Sequence, residues 1–408
     1  MTHPYPGSRA VAALDPLRLL LQASPQLTAE RLPAAALAAG RLLGASETVL
    51  YLADYEQALL LPMPGDGVPG RQELAIDRTV AGLAYRRAEA MSAAARPPGG
   101  AGRTRLWVPL LDGADRLGVL ELVVPTASAE ALEPETRQLA TLLAQLITTL
   151  GAYSDAFARL RRRKTLTLAA EIQWDLLPPL SHGDPRVVIA GALEPAYDIG
   201  GDTFDYAIDG DTAHLLVLDA IGHGLGAALL ANAAVGAYRH ARRNRSELPE
   251  TAAEVDAVIA SQFGPEHFAT AVLARLDLGT GLLRWLNAGH PPPLVLRSGS
   301  LVRLPACPPD LPLGLQEGKP QTCEMGLQPG DRVLLYTDGI VEARSPTGEF
   351  FGEDRLTDFV IRSASAGYPA PETLRRLMRE ILTHQTDQLQ DDASIVILEW
   401  LTGDGWRA

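Results

Sequence analysis

The sequence contains little cysteine, few aromatic residues and no long apolar run. Cys307 and Cys323 are the only cysteines among 408 residues, which excludes a disulfide framework and a cysteine-rich zinc site. Aromatic residues make up 5% of a composition that is otherwise ordinary for a globular protein. No uninterrupted apolar stretch reaches the ~18 residues that a membrane-spanning helix needs. Residues 1–10 lack the basic-then-apolar order of a secretion signal, so we expect a cytoplasmic protein that does not enter a membrane.

Positive charge is also scarce. Lys and Arg number 36 against 49 Asp and Glu, which gives a formal net charge of −13 at pH 7. A general nucleic-acid binder must neutralise phosphate charges, so this balance argues against nucleic acid as a partner. A chain of this length is expected to form two domains.

The first domain is expected over residues 15–150, after a flexible tail at 1–14 that carries proline and glycine. The pattern predicts a helix, short strands, a second helix, a hairpin about Asp112-Gly113 and a final helix. Segment 93–102, rich in Ala, Pro and Gly, predicts a loop. This order of elements is typical of an α+β sandwich.

Three short segments of this domain resemble a GAF domain, a small sensory module. They are Leu-Gly-Ala-Ser at 43–46, Val-Pro-Leu-Leu at 108–111 and Leu-Gly-Val-Leu-Glu-Leu at 117–122. The resemblance implies an α/β/α layering and an unknown small ligand or partner. An ordinary α+β core without a ligand is the alternative. Residues 1–150 contain no cysteine, which excludes a thioether-linked chromophore or a cysteine-ligated cluster there.

Residues 151–179 are expected to form a linker helix that continues the last helix of the first domain. Apolar residues recur there in alternating steps of four and three, as in a heptad seam. The seam consists of Leu139, Leu143, Leu146, Leu150, Tyr153, Phe157 and Leu160. Two interpretations are open: a helix packed on its own domain, or a parallel coiled coil that would make the protein a homodimer.

Residues 180–402 form the second predicted domain and change to a strand-rich pattern. Turn signals at 209–211, 279–281 and 298–299 predict hairpins. Many strands with two adjacent helices predict a central β-sandwich flanked by helices. The fold class expected for the whole chain is therefore α+β.

Aspartates stand at the ends of four predicted strands in this domain: Asp202, Asp219, Asp338 and Asp391. Each alone could mark a turn or a solvated strand end, although the two glycines before Asp202 would allow close backbone approach. Gathered within a few ångström, unit charges would repel by about 4 kcal/mol per pair at an effective dielectric constant of 20. Such a cluster either keeps protons or holds cations, and oxygen ligands alone favour Mg²⁺ or Mn²⁺.

Eight segments between residues 176 and 400 then occur in an order that resembles one family, the metal-dependent serine/threonine phosphatases of the protein phosphatase 2C type. The resemblance is to the bacterial branch that governs sporulation and stress sigma factors. The segments are Leu-Leu-Pro-Pro (176–179), Gly-Gly-Asp-Thr-Phe-Asp (200–205), Asp-Ala-Ile-Gly-His-Gly (219–224), Asn-Ala-Gly-His-Pro-Pro (287–292), Pro-Gly-Asp (329–331), Tyr-Thr-Asp-Gly-Ile-Val-Glu-Ala-Arg (336–344), Gly-Glu-Phe-Phe-Gly (348–352) and Asp-Asp-Ala-Ser (391–394).

The resemblance implies two Mg²⁺ or Mn²⁺ ions per active site, at one edge of the sandwich. Asp219 would bridge both ions, and the backbone carbonyl of Ala220 would join them. The other implied metal ligands are Asp202, Asp338 and Asp391. Asp391 is preferred to Asp392 as a ligand because it comes first in the pair. Asp205 and Asp392 are expected to support the ligands without binding the metal themselves. The phosphate-binding arginine that eukaryotic relatives carry near their N-terminus has no counterpart in this sequence.

The implied reaction is hydrolysis of a phosphoserine or phosphothreonine by a water that two cations activate for in-line attack. The family makes an anti-sigma-factor antagonist the expected partner, with the first domain as regulator. Two alternatives are a partner-binding scaffold with weak catalysis and a hydrolase of small phosphorylated molecules. His223 and His290 are candidate general acids, although packing histidines would explain both.

Overall fold

A computed structural model of the chain describes residues 8–95, 102–194, 197, 200–385 and 391–401, with side chains from residue 16 onwards. Residues 1–7 of the expected tail, 96–101 of the expected loop and residue 402 lie outside this range. The chain divides into two compact units, Met1–Arg163 and Lys164–Ala408, so the expected linker is split between them.

The first unit is built on an antiparallel sheet with the strand order β3-β2-β1-β6-β5-β4. Its strands are β1 Glu47–Ala53, β2 Leu59–Pro62, β3 Leu74–Ala75, β4 Met91–Ala94, β5 Arg103–Asp112 and β6 Asp115–Pro125. Its helices are α1 Ser8–Ala23, α2 Leu32–Leu42, α3 Val80–Arg87, α4 Glu133–Gly151 and α5 Ala156–Arg161. Helix α1 begins at Ser8, so the expected tail at 1–14 was too long. The reason is that the Ala- and Leu-containing run at 9–14 favours helix.

Helices cover both faces of this sheet. Leu50 and Leu52 of β1 pack in a core with residues of α1, α2 and α4. Val49, Tyr51 and Ala53 alternate with them and pack against α3 on the other face. The expected α/β/α layering is therefore present in the first unit.

The expected continuation of α4 into a linker helix over residues 151–179 is wrong. Helix α4 ends at Gly151, and α5 begins only at Ala156, after a turn in which the Ser154 hydroxyl accepts a hydrogen bond from the Ala156 amide. Leu139, Leu143 and Phe157 lie in the core of the first unit itself. Tyr153, another seam position, is 88% exposed. The leucine spacing thus reflects a helix packed on its own domain, which was the other interpretation.

The second unit contains two antiparallel sheets. Their strand orders are β15-β12-β11-β10-β9 for the first sheet and β14-β13-β16-β17-β8-β7 for the second. The strands are β7 Ser181–Gly183, β8 Val187–Glu194, β9 Asp202–Asp209, β10 Thr212–Ala220, β11 Ala269–Asp277, β12 Leu282–Ala288, β13 Leu294–Arg297, β14 Ser300–Val302, β15 Cys323–Gly326, β16 Arg332–Tyr336 and β17 Ala393–Trp400. The helices are α6 Leu168–Leu176, α7 Leu225–Arg243, α8 Leu248–Phe263, α9 Asp338–Val341, α10 Gly352–Ser365 and α11 Ala370–His384. The hairpins predicted at 209–211, 279–281 and 298–299 are confirmed.

The two sheets face each other, and helices cover their outer faces. Residues of α7 and α8 pack against the first sheet, and residues of α10 and α11 pack against the second. Leu216 and Leu218 of β10 belong to the core under α7 and α8, so the alternate residue Asp219 faces the other sheet. Helix α10 was not predicted from the sequence. The β-sandwich flanked by helices matches the expected architecture.

Two further observations concern the cysteines and the helices. Cys307 and Cys323 form a disulfide with a Cα–Cα distance of 6.1 Å, which closes the loop before β15. The sequence analysis expected no disulfide framework, and the two cysteines are joined to each other rather than free. Among the described residues, no helix combines the length and the apolar character that crossing a membrane requires.

Candidate active site

Three strands of the first sheet place polar side chains on the same inner face at one edge. The antiparallel register pairs Asp202 of β9 with Asp219 of β10, and Asp219 with Thr270 of β11. Directly paired residues point to the same face of a sheet. The two aspartates at these strand ends therefore lie side by side, as the sequence predicted.

The second sheet brings the remaining aspartates to the same edge. Strand β16 ends at Tyr336, and Asp338 opens the short helix α9 two residues later. Asp391 and Asp392 immediately precede β17, which pairs with β16. A Cβ placed on Gly339 would lie 1.8 Å from the Asp392 carbonyl oxygen, so only glycine lets α9 approach the entrance of β17 so closely.

The pKa values of Asp202, Asp219 and Asp338 are raised, in part because the carboxylates repel one another. Burial and the neighbouring Asp219 hold the pKa of Asp202 well above its ordinary range. Burial raises the pKa of Asp219 to about 7, with repulsion from Asp338 and Asp391 adding to it. The pKa of Asp338 is also raised, by burial and by nearby carboxylates that include Asp391. A cluster of this kind is costly while it carries its full negative charge, and a cation would relieve that cost.

The glycine pair before Asp202 has the role that the sequence suggested. A Cβ on Gly201 would stand 2.2 Å from the carbonyl oxygen of Ala220, and the Ala220 amide donates to the Gly201 carbonyl at 3.2 Å. The Gly200 amide donates to a carboxylate oxygen of Asp392. The Gly-Gly loop therefore packs between the end of β10 and the residue before β17. These contacts fix the position of Asp202 at the start of β9.

Asp391 and Asp392 differ in environment. Asp392 is partly buried and accepts the Gly200 amide, and burial raises its pKa to about 6. Asp391 is exposed, and its Oδ1 accepts the amide of Asp392 at 2.9 Å. These contacts hold Asp392 against the Gly-Gly loop and leave the Asp391 carboxylate exposed, and the choice of Asp391 as the metal ligand stays a prediction.

The expectation for Asp205 is not supported by its contacts. Residues 202 and 205 are an odd number of positions apart on β9, so their side chains lie on opposite faces of the sheet. The two Asp205 oxygens accept hydrogen bonds from Arg239 and Arg242 of α7 at 2.8 Å. Arg239 also donates to the carbonyl of Leu176 at the end of α6 at 2.6 Å. Asp205 therefore ties helices to the outer face of the sheet, and its position three residues after Asp202 could have revealed this.

The two candidate general acids, His290 and His223, differ in their surroundings. His290 is 5% exposed, and its Nδ1 lies 2.7 Å from the Thr270 hydroxyl. Burial lowers its pKa to about 4, so the ring is neutral near pH 7 and has no extra proton to give. The Asn287 amide group also holds the backbone of this loop. His223 lies exposed in the turn before α7.

Two buried side chains at the site were not singled out in the sequence. The Gln173 side chain on α6 is fully buried, and its Nε2 donates to the backbone carbonyl of Asp202 at 3.0 Å. The Thr337 hydroxyl donates to Oδ2 of Asp202 at 2.5 Å. No spacing rule connects either residue with Asp202, because their contacts join segments far apart in the chain.

The donor set at this edge consists of carboxylate and backbone oxygens, which suits Mg²⁺ or Mn²⁺ rather than Zn²⁺. The oxygen donors expected at this edge are those of Asp202, Asp219, Ala220 through its carbonyl, Asp338 and Asp391. Within the described ranges, no three His, Cys, Asp or Glu side chains converge closely enough, as placed, to hold one ion between them. The case for a divalent cation at this edge therefore rests on the oxygen donors and on the mutual repulsion among the carboxylates.

Comparison with known proteins shows what this unit is similar to. Residues 209–401 match the family model for stage II sporulation protein E (SpoIIE). Protein IcfG of Synechocystis sp. is 28% identical over 294 residues, which are 64% of this chain and 43% of that protein. Phosphoserine phosphatase RsbP of Bacillus subtilis is 28% identical over 207 residues, which are 49% of this chain and 50% of that protein.

Among solved structures, the SiaA-PP2C domain of Pseudomonas aeruginosa aligns with a TM-score of 0.48 at 23% identity, covering 57% of this chain and 94% of that one. The chain spans about half the length of the two curated relatives named above. The family match covers β10 to β17 and includes Asp219, Asp338 and Asp391. Over residues 209–401 the second unit therefore matches the SpoIIE family model, and it is similar to a phosphoserine phosphatase, RsbP.

Proposed function

We propose that the second unit is a metal-dependent phosphatase that removes phosphate from serine or threonine of a signalling protein. The observation that carries the proposal is the gathering of carboxylates from two sheets at one edge of a unit that matches the SpoIIE family model. Asp202 and Asp219 come from the first sheet, and Asp338 and Asp391 come from the second. Two divalent cations bound there would supply Lewis-acid activation of a water and neutralise charge on the phosphoryl group.

The roles of the chain's own residues follow from their positions. Asp219, which pairs with Asp202, would hold both cations, with help from the Ala220 carbonyl. Asp338 and Asp391 would supply further carboxylate ligands from the second sheet. Asp392 would keep the Gly-Gly loop in place through the Gly200 amide. No buried cysteine or histidine nucleophile is required for this chemistry.

The proposed substrate is a phosphoserine or phosphothreonine on a protein, and an anti-sigma-factor antagonist is the first candidate. Support comes from the relatives RsbP and RsbU of Bacillus subtilis, both named phosphoserine phosphatases. A hydrolase of small phosphorylated molecules is the second candidate. A partner-binding scaffold is the third, and the presence of all four aspartates argues against it.

The first unit is proposed to be a GAF-like regulatory module. Its strand order and its helices on both faces support that assignment. A cavity of about 390 Å³ lies between β4, β5 and α4, with Met91, Leu106, Val108 and Glu133 in its lining, and could take a small ligand. A homodimer remains part of the proposal, but Leu139, Leu143 and Phe157 of the seam expected to form it lie in the core of the first unit.

The deciding experiment measures release of phosphate from three substrates with the full-length chain and Mn²⁺. The substrates are a phosphoserine-bearing anti-sigma-factor antagonist, a panel of small phosphorylated metabolites and a generic aryl phosphate. The proposal predicts turnover of the phosphoprotein with a kcat/KM well above that for the small molecules. Preference for a small molecule would support the second candidate, and binding of the phosphoprotein without turnover would support the scaffold.

A further inference from the structure

We propose that Thr337 is a positioning residue of the metal centre: its buried hydroxyl fixes the Asp202 carboxylate in the orientation that binds a cation. This inference rests on the proposed function, because it takes Asp202 as a metal ligand. Thr337 was not among the residues expected at the site. Its side chain is fully buried, where each hydrogen-bonding group needs a partner within the protein.

The hydrogen bonds of Thr337 define the direction in which its proton points. A hydroxyl has one proton to donate and two lone pairs that accept. The Ser394 amide donates to the Thr337 Oγ1 at 2.9 Å, which occupies a lone pair. The hydroxyl proton then has two neighbouring acceptors, Oδ2 of Asp202 at 2.5 Å and the Ser394 carbonyl at 3.4 Å. The shorter contact, to a carboxylate in a buried site, is the stronger one.

The same residue joins the two sheets at the edge where the ligands meet. Its backbone amide donates to the Ser394 carbonyl at 2.9 Å, which continues the pairing of β16 with β17. Its hydroxyl reaches across to Asp202, 135 positions away in the chain, at the start of β9 in the other sheet. Its neighbour in sequence is Asp338. One side chain thus sets the position of a ligand from the first sheet relative to ligands from the second.

Thr203 is a buried threonine near the site whose side chain makes no hydrogen bond to a proposed ligand, and it serves as a control for Thr337. Thr203, next to Asp202, is also fully buried, but it lies on the opposite face of β9. Its hydroxyl has no hydrogen-bond partner among the described residues. Replacing Thr203 by valine changes the same atoms at the same burial without removing a bond to a ligand. It is therefore the matched control for the corresponding change at Thr337.

The test measures Mn²⁺ binding to the full chain by isothermal titration calorimetry, with folding of the metal-free variants checked by circular dichroism. We expect Thr337→Val to weaken Mn²⁺ binding by about 10–100-fold, the usual loss when the hydrogen-bonding support of a ligand is removed. Thr337→Ser keeps the hydroxyl and should bind within about threefold of wild type. Thr203→Val should bind as wild type does.

The valine variant also leaves the buried Ser394 amide without an acceptor, and it could fail to fold for that reason. Thr337→Ser and Thr337→Ala then form the decisive pair, because both lose the methyl group and only serine retains the hydroxyl. Unlike valine, alanine leaves space for a water to accept from the Ser394 amide. Equal Mn²⁺ affinity in serine and alanine variants would overturn the proposal, as would an equal loss in Thr203→Val. Because binding is measured without substrate, tight Mn²⁺ binding by a chain without phosphatase activity would refute the proposed function alone. A wild-type chain that binds no Mn²⁺ would overturn both.

Discussion

Replacing Asp205 by asparagine tests whether this residue stabilises the packing of helices or supports the metal centre. Asp205 has a side chain that is 1% exposed, and it pairs with Arg239 and Arg242, which are 25% and 13% exposed. Removing one partner of a buried ion pair costs about 3–5 kcal/mol. Because both arginines still reach some water, we expect a loss near the lower limit of this range, about 3 kcal/mol.

For a unit of 150–250 residues, each kcal/mol changes the melting temperature by about 2–4 °C, so Asp205→Asn should lower it by about 6–12 °C. The assay is thermal unfolding in chelator, followed by Mn²⁺ titration at a temperature where the variant is folded. Asp331→Asn is the matched control, since Asp331 is equally buried and pairs with Arg297 near the β13–β14 hairpin. Both variants should lose stability and keep Mn²⁺ affinity within about threefold of wild type. A tenfold weaker affinity in Asp205→Asn alone would refute this reasoning and restore Asp205 to the support of the ligands.

The remaining predictions concern the ions and the disulfide. Asp338→Asn should raise the Mn²⁺ concentration needed for half-maximal activity at least tenfold, because a charged ligand is lost, and an unchanged titration would make Asp338 only a turn residue. After full chelation, Mg²⁺ or Mn²⁺ should restore turnover while Zn²⁺ restores little, because the site offers no nitrogen or sulfur ligand, and a zinc-selective enzyme would contradict the oxygen donor set. Cys307→Ser should lower the free energy of unfolding in urea by up to about 3 kcal/mol relative to the oxidised protein, as expected for a closed loop of this length. If the free energies of unfolding of Cys307→Ser and wild type differ by the same amount in reductant, the disulfide contributes nothing to stability.

The parts of the site that the sequence predicted depend on local rules. Apolar runs ending in Asp219 and Asp338 identify strand ends, and strand ends of a sandwich meet at common edges. The glycines before Asp202 indicate close backbone approach, which the Ala220 carbonyl confirms. The period of two along a strand also places Asp205 on the face opposite to Asp202.

The parts that the sequence did not predict depend on contacts between distant segments. Heptad spacing from Leu139 to Leu160 shows which helix face is buried, but it does not say whether another chain or the domain's own sheet covers that face. The structure places Leu139 and Phe157 in the domain's own core. Thr337 gave no signal because a buried threonine at a strand end is common, and only the fold brings its hydroxyl to Asp202.

The measurement that tests the central claim most directly is turnover of a phosphoserine protein by wild type and by Asp219→Asn at saturating Mn²⁺. Asp219 pairs with Asp202 and is repelled by Asp338 and Asp391, and its replacement by a neutral amide of the same shape should remove the ligand proposed to hold both ions. The account predicts Mn²⁺-dependent release of phosphate by wild type, and activity below a tenth of that value in a variant that is folded by circular dichroism. Activity above a tenth of wild type in the folded variant, or turnover by wild type that persists after complete chelation, would contradict it.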